Sequence, residues 1–137
     1  MTKALIIEAP YYTNISDFLR DGAINALNKA SATYDIVSVP GALEIPAAIN
    51  FSLIKNYDVY IVLGCVIRGE TAHYDIVCNE SARGIYDLAI AHNLALGNAI
   101  LTVENMQQAI ARADPAQKDK GGDAARAALH MLGLKNS

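Results

Sequence analysis

Apolar residues occur along this chain in two kinds of segment. Short runs of Ile, Val and Leu alternate with longer stretches in which Ala and Leu recur on one helical face. The short runs are typical of β-strands, and the longer stretches are typical of amphipathic helices. On this basis the sequence predicts four strands, at Lys3–Glu8, Tyr34–Val39, Val59–Cys65 and Ala99–Val103.

Capping residues and prolines set the expected helix boundaries. Ser16 and Thr71 are candidate N-caps, and Asn105 with Gln108 resembles a capping pair. The residue before Pro115 avoids the α region, so the helix after Asn105 must stop there. The predicted helices are Ser16–Ala30, Pro46–Lys55, Ala72–His92, Asn105–Asp114 and a last helix that ends at Leu132 before Gly133.

This alternation of strands and helices predicts the fold. The run Val59–Cys65 is apolar throughout, as expected of a strand buried on both faces of a parallel sheet. Right-handed crossovers then place helices on both faces, which gives a three-layer α/β/α sandwich with a four-stranded parallel, flavodoxin-like sheet. Ligands bind at the carboxyl ends of the strands in such sheets. The loops at those ends are residues 9–13, 40–45, 66–73 and 102–105.

Length and composition predict one domain that associates with copies of itself. A chain of 137 residues, 1–137, fits a single domain. Hydrophobic residues make up 53% and charged residues only 18%, which is apolar enough to indicate surface buried between subunits. The alternative is that the count reflects Ala-rich helices alone.

Charge and hydropathy exclude several classes of partner. The net charge of -3 creates no field that would attract a nucleic acid. The longest apolar run, residues 59–67, is far shorter than the roughly 20 residues that cross a bilayer. The N-terminus has no signal-peptide pattern, and Cys65 and Cys78 do not form a disulfide framework. The expectation is a cytoplasmic protein with neither nucleic acid nor membrane as partner.

The segment "RGETAH" carries the densest polar chemistry. Gly69 permits a tight turn, and the amides around Glu70 and Thr71 would open the following helix, where an anion is favoured. His73 would lie in the first turn, where the helix dipole favours the neutral ring that a proton-transfer residue needs. The alternatives are an ordinary glycine turn and a surface histidine, and the latter is the interpretation for His92 and His130.

Other strand ends contribute further candidates. "APYYTN" places Tyr11 and Tyr12 where an aromatic ring could stack on a heterocycle, although half-buried packing explains them equally. Arg112 could bind a phosphate or simply complement a helix C-terminus, and a neighbouring subunit could bring it to the strand ends. The cysteines and histidines lack a familiar zinc spacing, so no metal is expected. Residue chemistry alone therefore predicts a flavodoxin-like enzyme or binder of a phosphorylated small molecule.

Four ordered motifs extend this interpretation. The segments "VPGALEIP", "GCVIRGETAHYDIVCNESARGI", "LTVENMQQAIARA" and "KGGDAARAAL" resemble those of the 6,7-dimethyl-8-ribityllumazine synthase family, over nearly the whole chain. The resemblance implies condensation of 5-amino-6-(D-ribitylamino)uracil with 3,4-dihydroxy-2-butanone 4-phosphate, the penultimate step of riboflavin biosynthesis. It implies no metal or organic cofactor. It further implies a homopentamer with active sites between subunits, and riboflavin synthase as a candidate partner.

The resemblance also assigns a role to individual residues. His73 matches the proton-transferring histidine, and Arg112 matches a phosphate-binding arginine from the adjacent subunit. Glu70 and Thr71 match the phosphate-binding turn. The positions implied to contact the pyrimidine or its ribityl chain are Tyr11, Ala42, Leu43, Glu44, Cys65, Val66, Ile67 and Lys120.

The chain departs from the family pattern in three places. Tyr11 replaces the commoner Phe or Trp and keeps an aromatic face. Asn98 stands where many members place a Phe of the neighbouring subunit against the pyrimidine. "ADPAQKDKG" replaces the turn of shell-forming members, which favours a free pentamer over an icosahedral 60-mer. Two alternative functions stay open: the related archaeal-type riboflavin synthase, and a carrier that binds lumazine or flavin without turnover.

Overall fold

A four-stranded parallel sheet forms the centre of the molecule in the computed structural model, which describes residues 1–137. The strands are β1 (Lys3–Glu8), β2 (Thr33–Ser38), β3 (Val59–Ile67) and β4 (Ala95–Val103). Their order in the sheet is β2-β1-β3-β4, and every neighbouring pair is parallel. The predicted parallel sheet is therefore confirmed. The two most apolar strands, β1 and β3, lie at its centre because both of their faces must be covered.

Helices cover both faces of this sheet. They are α1 (Thr13–Lys29), α2 (Ile45–Ser52), α3 (His73–Ala91), α4 (Met106–Ala113) and α5 (Lys120–Lys135), with 3₁₀ turns at Ala42–Glu44 and Leu53–Lys55. Buried residues of α1, α4 and α5 share one core cluster with the sheet, whereas those of α2 and α3 share a second cluster on the other face. The fold is a three-layer α/β/α sandwich of the flavodoxin-like class, as the sequence predicts.

The two cores are unequal in size. The cluster under α1, α4 and α5 contains 20 buried residues and the cluster under α2 and α3 only 9. Helix α3 buries only Val77, Ser81 and Ile85 although it is 19 residues long. Ile76 and Ile90 on the same helix are 55% and 79% exposed. The α2/α3 side of the single chain therefore leaves apolar surface in contact with solvent.

Strand β4 begins at Ala95, four residues before its predicted start at Ala99. The predicted boundary was wrong because Gly97 and Asn98 are poor strand formers. Both nevertheless pair with β3, Gly97 opposite Ile61. Helix α5 approaches so closely here that a Cβ at Gly97 would overlap the carbonyl oxygen of Ala124. Tertiary packing thus selects glycine at a position where strand propensity alone disfavours it.

Two predicted N-caps also need correction. Helix α1 begins at Thr13, and the side chain of Ser16 is buried against β1 instead of capping the helix. Helix α3 begins at His73 with Ala72 as N-cap, and Thr71 Oγ1 accepts a hydrogen bond from the backbone N–H of His73 at 3.3 Å. Thr71 thus contacts the helix start from one residue further out than predicted.

The C-terminal region agrees with expectation at one helix and differs at the other. Asn105 Oδ1 accepts from the Gln108 backbone N–H at 2.9 Å, and α4 ends at Ala113, before Asp114 and Pro115. The capping pair and the proline stop are both confirmed. Helix α5 continues through Gly133 to Lys135, so the predicted glycine stop was wrong.

The structure contains no helix with the length and apolarity required for a membrane span.

Candidate active site

A cavity of about 490 Å³ opens at the carboxyl ends of the strands. This is the edge at which parallel α/β sheets bind ligands. Its walls come from the segment after β1, the 3₁₀ turn after β2, the last residues of β3 and the first turns of α3. The lining residues are Ala9, Tyr11, Tyr12, Gly41, Ala42, Leu43, Glu44, Cys65, Val66, Ile67, His73 and Val77.

The segment after β1 provides an aromatic wall. Tyr11 is 76% exposed, whereas Tyr12 is half-buried and packs against the larger core cluster. Their rings meet edge to face with centroids 4.9 Å apart. Tyr12 therefore supports the ring of Tyr11, most of which stays exposed and able to stack on a planar ligand.

The 3₁₀ turn Ala42–Glu44 forms the opposite wall. It is closed by the Glu44 backbone N–H, which donates to the Gly41 carbonyl oxygen at 3.1 Å, and Pro46 lies at the start of α2 immediately after it. Ala42 is buried, while Leu43 and Glu44 are exposed at the cavity. The turn thus presents one apolar side chain and one carboxylate beside main-chain groups.

The end of β3 contributes Cys65, Val66 and Ile67. All three are half-buried and pair with β4, with Cys65 opposite Leu101. Burial raises the pKa of the Cys65 thiol from 9.0 to about 11. The thiol is therefore protonated at neutral pH and contributes a neutral, weakly polar surface to the cavity.

This protonation gives a measurable prediction for thiol reactivity. Because the thiolate is the reactive form, we expect Cys65 in the folded protein to react with iodoacetamide roughly 10- to 100-fold more slowly than in the unfolded chain at neutral pH. Peptide mass spectrometry resolves Cys65 from Cys78, whose thiol pKa is also raised by burial, so each cysteine is compared with itself in the unfolded chain. The rate at Cys65 should increase as the pH rises toward 11. Equal rates in the folded and unfolded protein would contradict the assignment.

His73 and the turn before it form the fourth side of the site. His73 is exposed at the first position of α3 and lines the cavity. Glu70 and Thr71 are exposed in the preceding turn but do not line the cavity of the single chain. A Cβ at Gly69 would meet no atom within 4 Å, so this turn is open on its outer side.

Arg68 connects this turn to the neighbouring strand end. Its Nε donates to Glu104 Oε2 at 2.7 Å, and its guanidinium lies 4.2 Å from the ring centre of Tyr74. A weaker ion pair of 3.6 Å joins it to Asp75. Tyr74 and Asp75 therefore contact Arg68 and do not line the cavity.

Besides Glu70 and Thr71, three further predicted residues lie outside the cavity of the single chain. Asn98 Oδ1 accepts from the Ile100 backbone N–H at 2.8 Å on β4. Lys120 at the start of α5 pairs with Asp123 at 3.8 Å. Arg112 Nη1 donates to the Gln108 carbonyl oxygen at 3.1 Å on α4.

The structure adds lining residues that sequence reasoning did not select. Ala9 and Gly41 fall within the predicted ligand-binding loops 9–13 and 40–45, although neither was named as a site residue. Val77 lies one helical turn after His73, and the i, i+4 spacing that puts both on one face was the available signal. No group of three or more His, Cys, Asp and Glu side chains is arranged as metal ligands would be.

Fold and site together define a class of protein. An apolar cavity with an exposed tyrosine ring, a histidine and main-chain groups lies at the ligand-binding edge of a flavodoxin-like sheet. This is the arrangement of an α/β enzyme that acts on a planar small molecule.

Comparison with known proteins specifies the family. The family model for 6,7-dimethyl-8-ribityllumazine synthase matches residues 1–136. The synthase of Bartonella henselae is 60% identical over 135 residues, covering 96% of this chain and 86% of the relative. Synthase 1 of Rhizobium meliloti is 59% identical, covering 96% of this chain and 90% of the relative. The synthase of Sphingopyxis alaskensis is 54% identical, covering 98% of this chain and 96% of the relative. The chain belongs to the 6,7-dimethyl-8-ribityllumazine synthase family, which confirms the resemblance of its motifs.

Proposed function

We propose that the cavity at the sheet edge is the active site for the family's reaction. The chain is a transferase that forms 6,7-dimethyl-8-ribityllumazine in the penultimate step of riboflavin biosynthesis. The two substrates are 5-amino-6-(D-ribitylamino)uracil and 3,4-dihydroxy-2-butanone 4-phosphate, and phosphate and water are released. The observation that supports this location is the meeting of Tyr11, the turn Ala42–Glu44, residues 65–67 and His73 around one cavity.

The pyrimidine is assigned to the space between the first three walls. Tyr11 offers an exposed ring face for stacking, and main-chain groups of Cys65, Val66 and Ile67 are close enough to the cavity to bind the ring edge. The exposed turn Ala42–Glu44 is the proposed binding region for the ribityl hydroxyls. Asn98 and Lys120 belong to this half in the proposal, although neither lines the cavity of the single chain.

The phosphate of the ketone is assigned to the turn before α3. The Thr71 hydroxyl lies at the N-terminus of α3, where its oxygen accepts from the His73 backbone N–H, and the helix dipole favours an anion at this end. Glu70 belongs to the same exposed turn. Arg112 would complete the site from an adjacent subunit, since its own chain leaves it outside the cavity.

His73 lies between these two halves and is the proposed proton-transfer residue. The 5-amino group of the pyrimidine attacks the ketone carbonyl, and loss of water gives an imine. Removal of a carbon-bound proton then allows phosphate to leave, and attack by the ribitylamino nitrogen closes the second ring with loss of a second water. A side chain that accepts and returns protons assists each of these steps. Holding both substrates in contact supplies a further large part of the rate.

The same proposal includes assembly into a homopentamer. The exposed apolar residues on the α2/α3 side need cover, and Phe51 and Ile54 next to them are 74% and 84% exposed. Arg112 is on α4, on the opposite face of the sheet, so it would reach a second chain if neighbours pack head to tail, the α4 side of one on the α2/α3 side of the next. Sedimentation should give a particle with five times the 14.6 kDa chain mass. A monomer, or a particle sixty times the chain mass, would contradict the free pentamer.

Cytoplasmic location and association with riboflavin synthase are further parts of the proposal. They rest on the family and on the low, mixed surface charge of -3 overall.

The decisive experiment supplies the purified protein with both substrates and follows lumazine absorbance. Formation of lumazine is expected, and none in a folded preparation would overturn the proposal. A second reaction with lumazine alone should give no riboflavin, because riboflavin there would indicate the dismutating enzyme. Tight flavin binding without turnover in either reaction would indicate a carrier.

A further inference from the structure

Glu8 is a buried carboxylate for which the reaction described above has no use. It is the last residue of β1 and is 2% exposed. Its side chain lies on the α1 side of the sheet, because Ala4 and Ile6 on the same strand face belong to the core cluster under α1. A buried charge persists only when it is paired and hydrogen-bonded. Its partners therefore indicate what the charge does.

Those partners come from two different elements. Arg20 on α1 donates from Nη1 to both carboxylate oxygens, at 2.8 and 3.1 Å. Ser16 Oγ, also on α1, donates to Oε1 at 3.3 Å. Ser38 Oγ, from the last residue of β2, donates to Oε2 at 3.4 Å. One carboxylate thus joins the ends of β1 and β2 to the first turns of α1.

Each of these attachment points adjoins a wall of the cavity. Ala9, directly after Glu8, lines the cavity. Ser16 is also bonded through its backbone N–H to the Tyr12 carbonyl oxygen, at 2.9 Å. Beyond Ser38, the Val39 backbone N–H donates to the Glu8 carbonyl oxygen at 2.9 Å, and the chain then enters the wall at Gly41. The Glu8 carboxylate therefore adds side-chain bonds to the backbone pairing of β1 with β2, at the place where the aromatic wall and the 3₁₀ turn both begin.

The phosphate half of the site has no such side-chain connection. The turn at 68–72 and His73 make no hydrogen bond with the side chains of Glu8, Ser16, Arg20 or Ser38. We propose that Glu8 is a positioning residue that sets the distance between the aromatic wall and the 3₁₀ turn, and so controls binding of the ribityl-pyrimidine but not of the ketone phosphate. This inference rests on the proposed function of the cavity.

The test compares two substitutions that weaken the connection to different degrees. Glu8→Gln keeps the size of the side chain but removes the charge that pairs with Arg20. Ser38→Ala removes only the side-chain hydrogen bond from β2 and leaves the backbone pairing of β1 with β2 in place. Calorimetry measures the Kd of the ribityl-pyrimidine without the ketone phosphate, and steady-state kinetics gives the KM of each substrate. We expect the Kd and KM of the pyrimidine to rise roughly tenfold in Glu8→Gln and less in Ser38→Ala, with the KM of the ketone phosphate unchanged.

Asp17→Asn is the matched control. Asp17 is the second, exposed partner of Arg20, at 2.8 Å, and its loss leaves every contact of Glu8 in place. We expect Asp17→Asn to leave the pyrimidine Kd and the KM of both substrates unchanged. A pyrimidine Kd that rises in Ser38→Ala but not in Asp17→Asn supports the positioning role. This comparison is sufficient even when Glu8→Gln fails to fold.

Two results would overturn the inference. An unaltered pyrimidine Kd in folded Ser38→Ala and Glu8→Gln would restrict Glu8 to a role in stability. Equal increases in both KM values would show that the whole site loosens, not one half. Failure of the unmodified protein to form lumazine would instead overturn the proposed function. The calorimetric Kd of the pyrimidine does not depend on turnover, so it tests the role of Glu8 separately from the proposed function.

Discussion

Replacing His73 with alanine should lower kcat by roughly 100-fold or more while leaving a pyrimidine analogue bound. General acid–base catalysis by one side chain contributes about 100- to 10,000-fold, and His73 is the titratable side chain that lines the cavity next to the proposed phosphate turn. Its side chain is exposed at the first position of α3, so its removal should not disturb the core. Stopped-flow or steady-state lumazine formation measures kcat, and calorimetry with the analogue measures binding.

His92→Ala is the control for this substitution. His92 caps the opposite end of α3, is also exposed and does not line the cavity. Its kinetics should match those of the unmodified protein. An unchanged kcat in His73→Ala would remove the proton-transfer role, and loss of analogue binding would assign His73 to binding instead.

Replacing Arg112 with alanine should raise the KM of the ketone phosphate by roughly 10- to 100-fold, the usual loss for a charge-assisted hydrogen bond to phosphate. The pyrimidine Kd should stay the same, since the guanidinium is proposed to reach only the phosphate. Arg126→Ala is the control, because Arg126 is exposed and already paired with Asp119 and Asp123. An unaltered KM for the ketone phosphate in Arg112→Ala would contradict the assignment.

Mixing the two deficient proteins tests whether Arg112 acts on a neighbouring subunit. Subunits carrying Arg112→Ala retain His73, and subunits carrying His73→Ala retain Arg112. If the site combines His73 of one chain with Arg112 of the next, mixed assemblies contain complete sites and regain activity after joint refolding. If both residues act within one chain, no mixture contains a complete site. Absence of recovered activity in mixed assemblies would therefore place Arg112 in its own chain's site.

Local sequence signals were sufficient wherever one strong physical preference dominates. The predicted bounds of β1, Lys3–Glu8, agree with the structure because its run of Ile and Leu is flanked by polar residues. The helix after Asn105 begins and ends as its cap and the following proline require. Signals of this kind act within a few residues, so they do not depend on how the chain folds elsewhere.

Prediction failed where distant packing outweighs local preference. Gly97 and Asn98 indicated a loop, but β3 offers them hydrogen-bond partners and α5 leaves room for a glycine only. Ser16 had the sequence signature of a cap, but its hydroxyl donates instead to the buried carboxylate of Glu8, eight positions earlier on β1. Competing interactions of that sort involve residues far apart in sequence, and no local pattern contains them.

The sequence by itself determined the parallel fold, the edge of the sheet at which the cavity lies and the family to which the chain belongs. The period of the hydrophobic residues and the motifs are properties of short segments, so they can be recognised without knowing how the chain folds. Only the tertiary structure decided which candidates meet: it gathered Tyr11, the turn Ala42–Glu44 and His73 around one cavity and left Arg112 outside it. It also revealed Glu8 beneath that cavity, since burial and charge pairing arise only when separate elements pack together.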